Sequence, residues 1–389
     1  MPLIIIVRFF TSLFSLFILA AAVYLVWTWY DGEWLRNTDG VLVHVRQNWR
    51  LWTALGLSGW SLLGGLVLKP LLAKPDKDPI EFRRLDGQQI AGAHGANLYV
   101  ERMGPPDAPT IILTHGWGLD STIWAYSKRD LSKRFQVVSW DLPGTGLSTP
   151  GPSGVTLEHF AENLAAVIAW TGRDKVVLVG HSIGGMTTQT LARDHPVLFD
   201  GAVAGVVLVN TTYRNPLHAM ILEPLAVALR FPIIEPMMVV TKWLTPLAWL
   251  RAWQSYFSGS AHLANRIAFG ASVTGRQLEH TTLLSTRNSP GHSAQGNLAM
   301  FRWDATGALS ARRSPVLILA GGIDILTRAE RSFDIEKVTP QATVKVIEGA
   351  NHMGFLEQHV IYNRLIAEFA ETAFSPVAAS GREAKAAAL

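Results

Sequence analysis

A serine hydroxyl attacks a carbonyl only when a base takes its proton and an acid holds that base in the right tautomer. It also needs backbone donors aimed at the oxyanion that develops. Gly180-His181-Ser182-Ile183-Gly184 has the G-x-S-x-G pattern and lies between an apolar stretch, Val176–Val179, and a helix-like stretch beginning near Gly184. A sharp turn there would lift Ser182 out of the chain's path, and the glycines would let strand and helix approach closely. Asp324 follows two glycines at the end of a second apolar stretch, and His352 sits in the loop after a third. The order serine, acid, histidine is one of the orders in which such a triad occurs. The other strand positioned to offer an acid ends at Asn210, which carries no charge, while Asp141, Asp304 and His280 lack a comparable strand-end position relative to Ser182. His115-Gly116-Trp117-Gly118 follows another apolar strand, so the N–H of Trp117 pairs with that of Ile183 as the expected oxyanion donors. The His115 ring is expected to brace that loop.

These residues need a scaffold that brings strand ends together. Thr110–Thr114, Gln136–Trp140, Val176–Val179, Ala204–Val209, Val316–Ala320 and Thr343–Ile347 are short, near-continuous apolar runs, the signature of strands buried on both faces of a parallel sheet. Between them Leu157, Phe160, Ala161, Leu164, Val167 and Ile168 recur at helical spacing up to Gly172, and a second such set closes the chain from Leu356 to Phe369. The expected fold class is α/β, a mostly parallel sheet flanked by helices, with ligands bound beyond the carboxyl ends of the strands.

Six segments follow: a membrane anchor over 1–73, a linker over 74–89, core over 90–211, a helical cap over 212–297, core again over 298–374, and a tail over 375–389. The cap is rich in Leu, Met, Trp and Pro, with Glu223 and Glu235 as the acids of its Pro216–Phe257 portion. So apolar a lid favours an apolar acyl chain and lipid contact. Two acids are few for holding a substrate amine, as a peptidase would need. Met220, Leu225 and Trp243 from the cap, with His181 and Met353 beside the reacting pair, are the expected substrate-binding residues. Its spaced prolines predict short, jointed helices.

The anchor rests on Phe9–Tyr30, an uncharged run ending in Trp27, Trp29 and Tyr30, and on Leu51–Leu68, a second uncharged run. A cleaved signal peptide is the rival reading of the first, but its apolar run continues past Ala20 and Ala22. One or two spans are expected. With two, Arg8 before the first run and Lys69, Lys74, Lys77, Arg83 and Arg84 after the second, against Arg36, Arg46 and Arg50 in the loop between, favour both ends and the catalytic part in the cytoplasm. A single span would put the catalytic part on the opposite side. The chain has 389 residues, a net charge of +4 and no cysteine, which excludes disulfides and thiolate chemistry. No basic block interleaves with aromatics, so nucleic acid is not an expected partner.

Taken together, HGWG (115–118), DLPGTGLS (141–148), GHSIGG (180–185), GGID (321–324) and GANHMGF (349–355) resemble the α/β-hydrolase fold superfamily, in its branch with a cap between the sixth and seventh strands. The resemblance covers roughly 90 to 372. It implies Ser182 as nucleophile, His352 as base, Asp324 as acid, and Trp117 and Ile183 as oxyanion donors, with no metal or cofactor. It also implies that Asp141-Leu142-Pro143-Gly144 is a structural turn. Epoxide hydrolases and haloalkane dehalogenases carry aspartate where Ser182 stands, which argues against both. Asn351 replaces the glycine usual before the histidine. An anchored member with a helical cap is similar to monoacylglycerol lipases, so the expected activity is hydrolysis of carboxylic esters of apolar acids. Carbon–carbon bond hydrolysis, lactone hydrolysis and perhydrolysis by the same site stay open, as does a non-catalytic, membrane-tethered binding protein.

Overall fold

A computed structural model describes residues 2–375. Its centre is an eight-stranded sheet in the order β10-β9-β8-β7-β5-β6-β4-β3. A separate hairpin, β1 (Glu33–Arg36) with β2 (Leu42–Val45), lies between two long helices near the N-terminus. The sheet strands are β3 (Gln88–Ala91), β4 (Asn97–Met103), β5 (Thr110–Thr114), β6 (Gln136–Trp140), β7 (Val176–His181), β8 (Val203–Val209), β9 (Val316–Gly321) and β10 (Ala342–Ile347). From β6 to β10 all neighbours pair in parallel, whereas β4 runs antiparallel to β6 and β3 antiparallel to β4.

The inner strands are apolar on both faces because both faces are covered. Ile112, Val138, Leu178, Val206 and Ile318 point into one cluster together with helix Leu157–Thr171. Their neighbours Ile111, Val137, Val177, Val207 and Leu317 point into the other, with helix His359–Phe374. The two-residue period of the strand thus divides each run between two cores. Helix Leu157–Thr171 starts where Thr156 accepts from the His159 N–H at 3.1 Å, and it ends at Gly172 in the left-handed region at φ 66°.

Between β8 and β9 the chain leaves the sheet for a layer of short helices. Pro224, Pro236 and Pro246 each occupy a first helical turn, where the missing N–H would have had no partner, so the layer is a series of jointed segments.

The N-terminal helices, α1 (Pro2–Asp31) and α2 (Asn48–Leu72), are long and apolar enough to cross a membrane. They pack on each other through Ala22 and Ala54, both buried, and dock on the helical layer. Ser15 Oγ donates to Ser258 Oγ at 2.6 Å, and Lys69 Nζ lies 3.2 Å from a Glu279 carboxylate oxygen. Gly64 is required at this joint, since a Cβ there would stand 2.5 Å from the Ser258 carbonyl oxygen. Beyond the joint both helices expose apolar side chains, and Trp27, Tyr30, Trp34, Trp49 and Trp52 cluster in exposed positions around the β1–β2 end. Apart from Ser375, the expected tail lies outside the described residues.

Candidate active site

Ser182 sits between the end of β7 and helix Ile183–Asp194 with φ 53° and ψ −115°. A non-glycine residue held there carries backbone strain of roughly 1–3 kcal/mol, which the surroundings must offset. They do so with hydrogen bonds: Ser182 N–H donates to Val209 O at 2.9 Å, and the Ser182 carbonyl accepts from Thr211 Oγ1 at 2.6 Å. The flanking glycines are steric necessities. A Cβ on Gly180 would lie 2.4 Å from the Gly184 carbonyl carbon, and one on Gly184 would lie 2.3 Å from the Thr114 carbonyl oxygen. The turn therefore closes only with glycine on both sides of the serine.

Three strand ends meet at this turn. His352 Nε2 lies 3.1 Å from Ser182 Oγ, and His352 Nδ1 lies 2.9 Å from Asp324 Oδ2. All three side chains are buried. With Asp324 ionised, His352 donates its Nδ1 proton to the carboxylate and leaves Nε2 free to accept from the serine hydroxyl. Burial alone would push the Asp324 carboxyl up. The adjoining His352, with the N–H and hydroxyl of Thr327, instead holds it below the ordinary carboxylate range. Asp324 Oδ1 accepts from the N–H groups of Leu326 and Thr327 at 2.8 and 2.9 Å, and Oδ2 accepts from Thr327 Oγ1 at 2.7 Å.

Three residues steady this line; the sequence reading noted Asn210 and Asn351 without giving either a positioning role, and it missed Thr327. Asn210, set aside there as uncharged, donates Nδ2 to Asp324 Oδ2 at 3.1 Å and to Asn351 O at 2.9 Å. Thr327 caps the same carboxylate. Asn351 ties the histidine loop down: its Nδ2 donates to Ile267 O at 2.9 Å, and its Oδ1 accepts from the His352 N–H at 2.8 Å. A glycine at 351 would leave these bonds unmade. The only hint in the sequence was that β8 ends in an amide beside strand ends that carry the acid and base.

The N–H groups of Trp117 and Ile183 make no hydrogen bond to another described residue, and Ile183 opens a helix whose positive end faces the serine. The Trp117 ring donates Nε1 to Ser293 O at 3.2 Å and lies so close to Gly296 that a Cβ there would be 2.2 Å from it. His115 locks the loop: its Nε2 accepts from the Leu142 N–H at 3.0 Å, and its Nδ1 donates to Gly116 O at 2.8 Å. Burial lowers its pKa, consistent with the neutral ring this pattern needs. Asp141 binds Arg84 at 2.7 Å, Asp304 Oδ1 accepts from the Thr306 N–H at 2.7 Å, and His280 faces Thr122, so none of the three rivals joins the serine.

A cavity of about 190 Å³ opens over His352, Met353, Trp117 and Gly118, with Ser182 one hydrogen bond behind its wall. Met353 lines it. The other expected substrate contacts lie elsewhere. His181 is buried behind His352, donating Nε2 to the His352 carbonyl at 3.1 Å and packing on Phe355. Met220 is buried within the helical layer's own core. Leu225 and Trp243 turn outward, 53% and 80% exposed. In their place the wall takes Met237, Met238 and Ala248 from the layer and, from α1, Ile4, Arg8, Phe9 and Ser12.

Residues 109–358 match the family defined by the alpha/beta hydrolase fold, and the chain belongs to that family. Among individual proteins, it is 36% identical over 117 residues to a bifunctional esterase/perhydrolase of Acinetobacter calcoaceticus, a match spanning 30% of this chain and 41% of that one. It is 23% identical over 278 residues to a pimeloyl-[acyl-carrier protein] methyl ester esterase of Vibrio parahaemolyticus, covering 71% of this chain and 98% of the relative. The solved structure of a thermophilic esterase from Thermogutta terrifontis superimposes with a TM-score of 0.58 at 25% identity, over 75% of this chain and 100% of that one.

Proposed function

We propose that the protein is a membrane-anchored serine hydrolase that cleaves carboxylic esters of apolar acids. The observation that carries this reading is the hydrogen-bonded line from Ser182 through His352 to Asp324 beneath a mostly apolar cavity. Ser182 Oγ attacks the ester carbonyl while His352 Nε2 takes its proton. The tetrahedral oxyanion is held by the N–H groups of Trp117 and Ile183. His352 then gives the proton to the departing alcohol, leaving an acyl group on Ser182. Water, deprotonated by His352, attacks the acyl carbonyl, and collapse returns the acid and the free serine. Asp324 stays ionised throughout and stabilises the imidazolium.

Two features support membrane attachment. α1 and α2 project past the helical layer with exposed apolar faces. The layer adds its own exposed apolar residues, among them Phe231, Trp243, Leu247 and Leu250. Lys and Arg flanking the two runs support a cytoplasmic catalytic part. Because the Acinetobacter relative is named an esterase/perhydrolase, hydrogen peroxide replacing water on the acyl-enzyme is the second reading. It would give a peracid from the same intermediate. A p-nitrophenyl ester series of rising acyl length tests the main reading. kcat/KM should climb with chain length, and a flat or short-chain profile would count against an apolar acyl substrate.

A further inference from the structure

The cavity over His352 is lined by apolar and uncharged polar side chains and by two cations that no described residue of its wall neutralises. Arg8, from α1, and Arg251, from helix Thr245–Phe257, both line it. Arg8 Nη1 donates to the Ser285 carbonyl at 3.2 Å. Arg251 places its guanidinium carbon 5.2 Å from the centre of the ring of Phe9, the residue next to Arg8, and makes no hydrogen bond among the described residues. Among the described residues no carboxylate lies within 4.0 Å of either guanidinium, whereas two other arginines of the helical layer have one: Arg230 meets Glu235 at 2.7 Å, and Arg276 meets Asp76 at 3.6 Å. Two like charges held in one poorly solvated cavity are costly unless an anion joins them. Ser12, Asn265 and Asn288 add polar groups to the same wall.

We infer that Arg8 and Arg251 form an oxyanion-binding subsite, so that the substrate is an amphiphilic ester carrying a phosphate or carboxylate besides its apolar acyl chain. The inference rests on Ser182 acting at the His352 end of the cavity, as proposed above. Guanidinium is suited to this task because its fixed fork of donors matches both anions. It also gives α1 a role beyond anchoring: its first turns supply one of the two cations, so the site is complete only when α1 is docked. The same chemistry could be met by the headgroup of a bilayer lipid resting at the cavity mouth, and the test separates the two sources.

Dodecyl phosphate and dodecanol form a pair differing in the anion alone. Each is tested as an inhibitor of p-nitrophenyl ester hydrolysis by the full chain in neutral detergent. The subsite predicts competitive inhibition by dodecyl phosphate at about a tenfold lower concentration than by dodecanol. R8Q and R251Q should each erode that ratio, and R251K should keep part of it, which distinguishes charge recognition from misfolding. Calorimetric titration of S182A should show the same preference without turnover. Binding there with no hydrolysis by the wild type would leave the subsite standing while overturning the esterase reading. Equal potency of the two ligands, or a preference kept by the R8Q/R251Q double variant, would overturn the subsite. So would inhibition by phosphatidic acid vesicles alone, with no competition from dodecyl phosphate, which would assign the cations to bilayer lipid.

Discussion

Asn210 Nδ2 donates to Asp324 Oδ2 across 3.1 Å, joining the end of β8 to the loop after β9. With Thr327 and two backbone N–H groups it fills the acceptor sites of the carboxylate that His352 leaves open. The carboxylate is thereby fixed in both charge and orientation before any substrate arrives. Replacing Asp324 by Asn removes the charge and lets the new amide present an N–H to His352 Nδ1, favouring the wrong tautomer. The expected loss in kcat is about 10⁴-fold with the fold retained. Asn210→Ala, which leaves the charge but loosens its seat, should cost about tenfold. Steady-state kinetics on both variants, beside thermal melts, check this. Near-normal kcat in Asp324→Asn would remove Asp324 from the mechanism.

The elbow makes a steric prediction. Gly184→Ala adds a Cβ where Thr114 O already stands 2.3 Å away, and the atoms it would meet, in Thr114 and His115, are all backbone. Stability should fall by about 1–3 kcal/mol, and activity should fall further as β5 and the serine turn separate. A melting temperature equal to that of wild type would contradict this packing.

Glu279 predicts a pH signature at the joint between α2 and the helical layer. Burial would raise its pKa, but His262 at 2.8 Å, the Tyr256 hydroxyl and Lys69 together hold it down to about 2. The folded pKa thus lies below an unfolded value of about 4.3. Its stabilising contribution is therefore complete above that value and is lost as pH falls toward 2. Below about pH 4.5 the stability difference between wild type and Glu279→Gln should close as pH falls. A difference that widens on acidification would contradict the assignment.

Membrane attachment predicts that alkaline carbonate leaves the full chain in the membrane fraction. A fluorescent protein that matures only in the cytoplasm should light up when fused at the C-terminus. Release into the supernatant would refute the anchor, and activity of a periplasm-only reporter at that position would refute the cytoplasmic orientation.

What could be read from sequence follows a physical line. The five inner strands were legible because burial on both faces makes them continuously apolar. β10, expected to be buried likewise, is instead a part-exposed edge strand legible from its β-branched residues, and the candidate acid, base and nucleophile were legible because each follows one of these strands. β3 and β4 were not, since Gln88–Ala91 is polar at an exposed edge and Asn97–Met103 is exposed at both ends. The helical layer was recognisable by composition, but composition does not say which face turns inward. Leu225 and Trp243 point to solvent, while Met237 and Met238 reach the cavity. Arg8 and Phe9 read as the edge of a membrane run because nothing local records contacts with residues far along the chain. Asn210 and Asn351 lacked a signal for the same reason: their partners are assembled only by the sheet.

The most direct test is labelling of the purified full chain with a fluorophosphonate probe, comparing wild type with Ser182→Ala. The account predicts one covalent adduct on Ser182 in the wild type, none in the variant, and loss of p-nitrophenyl ester hydrolysis by at least about 10³-fold in parallel. An unlabelled wild type, or equal labelling and hydrolysis in Ser182→Ala, would contradict it.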